Sequence, residues 1–280
     1  MAGMAEIQVS SNELVTYHRE GHLGYITLNR PDKRNALNPK VWGALDKAVS
    51  LAEDDLEARV VILQGRGQSF CAGLDLSPDN DMFAALMSPA GAAQKMEFFR
   101  EVRKTQQIHT RLERLRQPTI AVIQKHCLGA GLELALCCDI LLCTADTVFA
   151  LPEAKLAFIT DVGGLQRLAK TVARGHVREI AFRGHRFKAD KALAIQMVNE
   201  IYPDEESLRA KAMEMAEEIA GNPPLAVQGA KEVLMFNEGA GQDLSLEYNA
   251  ARSCMIVPSL DQGEAINSYL EKRQGTFKGE

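Results

Sequence analysis

No stretch of this chain approaches the roughly 18 consecutive apolar residues that a membrane-spanning helix requires, and the mean hydropathy of -0.15 points the same way. A membrane protein is therefore not expected. Positive charge is also short: 32 Lys and Arg against 37 Asp and Glu leave a formal net charge of -5. That balance argues against a surface that wraps nucleic acid, while leaving room for a local basic patch facing an anionic ligand. The six cysteines show neither the paired spacing of a zinc site nor the density of a secreted disulfide scaffold, so they read as reduced core thiols. No Gly-x-Ser-x-Gly elbow, Walker loop or His-Glu-x-x-His is present, which removes the main support for serine, phosphoryl and zinc hydrolase chemistry. The first 18 residues hold no Lys or Arg, and the last five, TFKGE, are not a peroxisomal Ser-Lys-Leu ending; the expected location is the cytoplasm.

What is there alternates. Two β-type runs between Leu14 and Leu28 flank a Glu-Gly-His turn and predict a hairpin. Asn38 is a fitting N-cap and Pro39 a fitting first residue for a helix whose apolar positions are Val41, Trp42, Leu45, Ala48, Val49 and Ala52. The runs ARVVILQG, TIAVI, ILLCT and VFAL read as buried strands, separated by helical stretches at 93–116 and in GAGLELALCCD. Alternating strand and helix predicts an α/β core over residues 1–204. From Glu205 to Lys272 four helical stretches broken by Pro223, Pro224 and Pro258 predict a helical C-terminal region, 205–280. The Ser77–Gly91 segment, rich in Pro, Asp and Gly, reads as a mobile loop near a site.

Two segments resist a purely structural reading. In PEAKLAFITDVGGLQRL (152–168), Glu153 and Asp161 interrupt a run that otherwise looks like core, and isolated buried acids are costly unless paired, hydrogen-bonded or protonated. Asp161 could instead cap the helix that begins near Gly163. In GAGLEL (129–134) the third glycine of a dinucleotide fingerprint is missing, since Leu134 stands there. The small residues and free N–H groups at a helix start could still hold an oxyanion.

Four motifs, RPDKRNALN (30–38), SFCAGLDL (69–76), GAGLELALCCDI (129–140) and PEAKLAFITDVGGLQRL, stand in the order and spacing of the crotonase superfamily, the enoyl-CoA hydratases and isomerases, which the chain resembles from about residue 14 onward. Within it the sequence is most similar to the dienoyl-CoA isomerases, through AGLDL, TDVGGLQRL and PPLAVQGAKEVL (223–234). The resemblance implies an α/β fold built as a spiral of repeated ββα units, with C-terminal helices that cover the active site and build a homotrimer or a dimer of trimers. It implies an acyl-CoA thioester as substrate, with no cofactor and no metal, in fatty-acid β-oxidation.

By the same resemblance the backbone N–H groups of Leu74 and Ala130 hold the thioester oxygen; the family more often has glycine where Ala130 stands. Glu153 and Asp161 act as base at C2 and acid at C6 in moving a 3,5-diene to a 2,4-diene, and Glu133 completes the catalytic set. CoA is met by Lys33, Arg34, Ala36, Ala72 and Asp75, and by Phe277 and Lys278 reaching a neighbouring subunit. Glu133 departs from the isomerase pattern, which has Asp there, and matches the hydratases, so hydration of a 2-enoyl thioester through Glu133 and Glu153 stays open. A non-catalytic acyl-CoA- or RNA-binding member would lack these acids or carry a basic face. His109, His126 and His185 find no triad partner and read as structural.

Overall fold

The computed structural model describes residues 13–77, 80, 83 and 91–280. Most of the Ser77–Gly91 segment, expected as a mobile loop, lies outside the described residues, as do the first 12 residues. A six-stranded sheet runs in the order β1 (Val15–Glu20), β2 (Leu23–Leu28), β3 (Val60–Gly65), β4 (Thr119–Ile123), β6 (Ile140–Thr144), β9 (Glu200–Tyr202). Among the described residues, only the β1–β2 hairpin in it is antiparallel. A smaller sheet joins β5 (His126–Leu128), β7 (Val148–Ala150) and β8 (Phe187–Lys188).

The spiral follows from how the chain crosses between the sheets. Strand β4 lies in the large sheet and β5 in the small one, followed by α3 (Ala130–Ala135); β6 and β7 repeat the step, followed later by α4 (Gly164–Thr171). After β3, Cys71 pairs with Cys127 in a parallel bridge, so this turn also leans on the small sheet before α2 (Ala92–Glu113). These are the ββα units expected for the family.

Each element follows from its local sequence. In α1 (Pro39–Asp54) the Asn38 side chain accepts the N–H of Val41 at 3.0 Å, and the buried set is the six positions expected. Helix α3 is shorter than the run GAGLELALCCD suggests; Leu136–Asp139 turn back to start β6. The large sheet is buried on both faces, which is why its strands read as unbroken apolar runs. Val61, Leu63, Ala121 and Ile123 join the core shared with α1, whereas Leu23, Val60, Ile62, Ile120, Val122 and Leu142 pack on the opposite side.

That opposite side is covered by α7 (Glu205–Ala220) through Leu208, Ala212, Ala216 and Ala220. The small stripe lets the helix sit close to the sheet, so α7, the first helix of the 205–280 region, packs as part of the core layer. The helices beyond it are α8 (Pro224–Asn237), α9 (Gln242–Ile256) and α10 (Leu260–Glu271). Five cysteines are buried as expected of core thiols, but Cys254 is exposed, because it sits on α9, whose residues other than Ser245 are not buried in the single chain. Among the described residues no helix is long and apolar enough to cross a membrane.

One part-buried ion pair ties α8 to the core. The Lys231 ammonium donates to Asp139 Oδ2 at 2.7 Å and to the Gln117 carbonyl at 3.0 Å, while the same Asp139 oxygen accepts the N–H and hydroxyl of Thr119. Lys231→Met leaves a carboxylate and a carbonyl without their cation, but Asp139 is a third exposed and water recovers part of the loss. Urea unfolding is expected to show a loss of about 2–3 kcal/mol, below the upper range for a fully buried pair.

Candidate active site

The backbone at 71–75 and 128–131 is drawn together by bonds on both flanks. Cys71 N–H donates to the His126 carbonyl and Leu128 N–H to the Cys71 carbonyl; on the other side Leu37 N–H donates to the Gly73 carbonyl and Asp75 N–H to the Leu37 carbonyl. Among the described residues the N–H of Leu74, between these bonds, has no acceptor. Neither does the N–H of Ala130, the first residue of α3, as expected at a helix start. Both residues line the same pocket.

Two glycines make this approach possible. Gly73 has φ +88°, and a Cβ there would lie 2.6 Å from the Leu128 carbonyl oxygen and 3.6 Å from the Ala130 nitrogen. Gly129 has φ +50°, and a Cβ there would lie 2.8 Å from Glu153 Oε1. Any larger residue would push the donors apart or displace the carboxylate.

The three acids meet in this pocket. Its apolar walls include Trp42 from α1, Phe98 and Val102 from α2, and Leu156, Phe158 and Ile159 from the segment after β7; its polar points are Glu101, Thr105, Glu133, Glu153 and Asp161. Glu133 is 2% exposed, and its Oε2 accepts the N–H groups of Val162 and Gly164 at 3.1 and 2.7 Å. Burial pushes its carboxyl up to about 8, against those two donors and with help from the charges of Glu153 and Asp161. With one oxygen held as an acceptor, the neutral acid carries its proton on the other.

Glu153 begins a short 3-10 turn and accepts the Thr160 hydroxyl at 3.2 Å; burial raises its pKa, with the Asp161 charge adding to the effect. Asp161 is likewise raised by burial. It does not cap α4: Gly163 stands at the N-cap with φ +107° and no side chain caps the helix. The cap alternative for Asp161 is therefore excluded, and the residue lines the pocket.

Raised carboxyl pKa values have a sign. Glu133 favours the neutral form in the folded chain, so its share of stability is fully present below about pH 4.5 and is lost as pH rises through about 8. Between these limits unfolding free energy should fall with pH by at most about 1.4 kcal/mol per unit for this group, and Glu133→Gln should flatten the fall. Urea titrations at intervals across that window measure it; an unchanged slope in the variant would contradict the assignment.

The residues expected at CoA are dispersed. Lys33 and Arg34 are exposed on the loop before α1, and the Arg34 carbonyl accepts the N–H of Ala72, which lines the pocket. Ala36 is buried, and its carbonyl accepts from Arg30. The Asp75 carboxylate is occupied by the Arg30 guanidinium at 2.5 Å and by the Ser77 N–H, so its side chain braces this loop to the 72–75 segment. Phe277 and Lys278 lie elsewhere. The Phe277 carbonyl accepts from Arg59 beside a second cavity shared with Glu20 and Glu217, and Lys278 N–H donates to Asp261. Among the described residues none of 205–280 lines the acyl-sized pocket of this single chain.

His109 is buried against Trp42 with Nδ1 on the Thr105 carbonyl, and His126 meets the Ser69 hydroxyl. Sequence reasoning did not single out Glu101, Thr105, Thr160 or the aromatic wall residue Phe98. They sit on a helix face or in an irregular segment, where local pattern shows no partner.

A two-sheet spiral carrying paired unpartnered N–H groups over a carboxylate-lined apolar pocket defines a class that the sequence itself corroborates. The family model described as Enoyl-CoA hydratase/isomerase matches residues 18–280, and the chain belongs to that family, with the crotonase fold. It is 34% identical over 256 residues to the Delta(3,5)-Delta(2,4)-dienoyl-CoA isomerase, mitochondrial, of Mus musculus, covering 90% of this chain and 77% of that one. It is 31% identical over 261 residues to the short-chain-enoyl-CoA hydratase of Clostridium acetobutylicum, covering 93% and 95%. The crystal structure of an enoyl-CoA hydratase from Bacillus anthracis superposes with a TM-score of 0.86 at 30% identity, covering 95% of this chain and all of that one.

Proposed function

We propose that this protein is an acyl-CoA isomerase that converts 3,5-dienoyl thioesters to 2,4-dienoyl thioesters. The observation that carries the reading is the presence of Asp161, uncapped and with a raised pKa, in the same apolar pocket as Glu153. Glu153 takes the proton at C2, and the C–H electrons pass into a conjugated trienolate that reaches from the thioester oxygen, where most of the charge rests, to C6. Leu74 and Ala130 N–H groups hold that oxygen. Asp161 delivers a proton to C6, the double bonds come to rest at C2 and C4, and exchange with solvent restores both carboxyl groups. C2 and C6 are roughly 5 Å apart by bond geometry, more than one carboxylate spans at hydrogen-bond reach.

A preorganised backbone donor pair of this kind is worth roughly 10² to 10³ in rate, so no metal or cofactor is needed for the charge that develops. Glu133, whose carboxyl burial pushes up to about 8, stands beside the reacting chain as a third acid. The exposed Lys33 and Arg34 suit the CoA phosphates, with the Ala36, Ala72 and Asp75 backbone leading from them to the thioester. Exposed Leu234, Leu244, Leu246, Leu260 and Leu270 on α8–α10 suit a homotrimer or dimer of trimers, in which Phe277 and Lys278 act on a neighbour.

One observation favours a second reading. Glu133 and Glu153 both line the pocket, as hydration of a 2-enoyl thioester requires. The two are separated by incubating purified protein with each thioester. Rising conjugated-diene absorbance from a 3,5-dienoyl thioester supports isomerisation; loss of enoyl absorbance from crotonyl-CoA without any diene formation supports hydration.

A further inference from the structure

Among the described residues the carboxyl of Asp161 has no hydrogen bond from another side chain, so its place over the pocket depends on where the backbone puts it. That backbone is irregular: between the turn that ends at Leu156 and the start of α4 at Gly164 there is neither helix nor strand. Its neighbours are tied to the other acids. Thr160 bonds Glu153, and Val162 and Gly164 bond Glu133. Among the described residues, residue 161 itself has one tether from outside the segment, the side-chain amide of Gln106 on α2, whose Nε2 donates to the Asp161 carbonyl at 2.5 Å.

The orientation of that amide is also determined. Gln106 Oε1 accepts from Arg103 Nη1 at 2.7 Å, one turn earlier on α2, so the oxygen side is occupied and the NH2 side faces Asp161. Reversing the amide would set its oxygen against the Asp161 carbonyl and its NH2 against the guanidinium, breaking both bonds. Helix α2 is anchored independently at this level: the adjacent Thr105 lines the pocket, and Glu113 at its end pairs with Arg167 of α4 at 2.7 Å.

We propose that Gln106, aligned by Arg103, is a positioning residue that sets the reach of Asp161 toward the far end of the dienoyl unit. It touches neither substrate nor reacting atoms; it acts through the Asp161 carbonyl. The inference rests on the assignment of Asp161 as the acid at C6. A displacement of the acid by about an ångström is enough to lower a proton transfer by roughly a hundredfold, whereas the base and the oxyanion donors, held by other bonds, keep their places.

The test uses the full-length protein, 3,5-dienoyl-CoA and D2O. In Gln106→Met, which keeps length but cannot donate, diene formation should fall roughly ten- to a hundredfold with KM changed by less than about threefold. Recovered 3,5-dienoyl substrate should carry deuterium at C2, because Glu153 still removes that proton and the trapped trienolate returns. Gln106→Glu keeps the size and the contact with Arg103 but presents only oxygens to the carbonyl, and should show the same split, which separates the loss of donation from a packing defect. Wild-type diene formation in folded variants would overturn the inference alone. Loss of C2 exchange in step with diene formation would overturn it too, by showing a general collapse of the site. Absence of diene from the unsubstituted protein would instead overturn the assignment of Asp161.

Discussion

Replacing Asp161 by asparagine is expected to lower turnover of a 3,5-dienoyl thioester by roughly 10² to 10⁴, the range supplied by a positioned general acid, while KM stays within about threefold. Asparagine matches the shape and keeps hydrogen-bond donors but has no proton to give up. The acid can fill its role only if it is protonated near neutral pH, and its pKa moves in the required direction, upward, because it is buried in an apolar pocket. The three groups interact, so the pH profile of turnover should be read as that of a coupled set. Hydration of crotonyl-CoA, if the protein performs it, draws on Glu133 and Glu153 and should survive the substitution. An Asp161→Asn enzyme that isomerises at the unsubstituted rate would remove Asp161 from the mechanism.

Gly73→Ala should cost nearly as much, roughly 10² to 10³ in turnover, by disturbing a donor pair and not an acid. A methyl at this position would lie 2.6 Å from the Leu128 carbonyl oxygen, on a backbone with φ +88° that L residues rarely adopt. Relief requires the 72–75 segment to move away from 128–131, and with it the Leu74 N–H away from the Ala130 N–H. Both isomerisation and any hydration should fall together, because both build charge on the same thioester oxygen. That shared loss distinguishes Gly73→Ala from Asp161→Asn. A Gly73→Ala protein with normal turnover of either thioester would show that these N–H groups do not hold the oxygen.

Much of this was legible in the sequence. The cap and apolar face of α1 depend on residues within one helix, and the strands of the large sheet are buried on both faces, so continuous apolar runs identified them. The motif glycines indicated where backbone had to approach closely, and the structure supplies the atoms they make room for. Other features depend on partners far away in sequence. The Ala212, Ala216 and Ala220 stripe of α7 announces a helix but not the surface it covers. Asp161, two residues before the N-cap of a helix, reads equally well as the cap itself until Gly163 is seen in that place. Gln106 reaches Asp161 across 55 positions from an ordinary amphipathic helix, and no local pattern marks it. The Lys33 and Arg34 pair was visible as exposed charge, whereas the capture of Asp75 by Arg30 needed the fold.

Incubation of the purified protein with a 3,5-dienoyl thioester in D2O, followed at low conversion, asks most directly whether two carboxyl groups divide the work. If Glu153 removes the C2 proton and Asp161 supplies another at C6, the 2,4-dienoyl product should carry deuterium at C6. Product that holds the original C2 hydrogen at C6 would mean that a single carboxylate carried it along the chain, and failure to form the conjugated diene at all would end the isomerase reading.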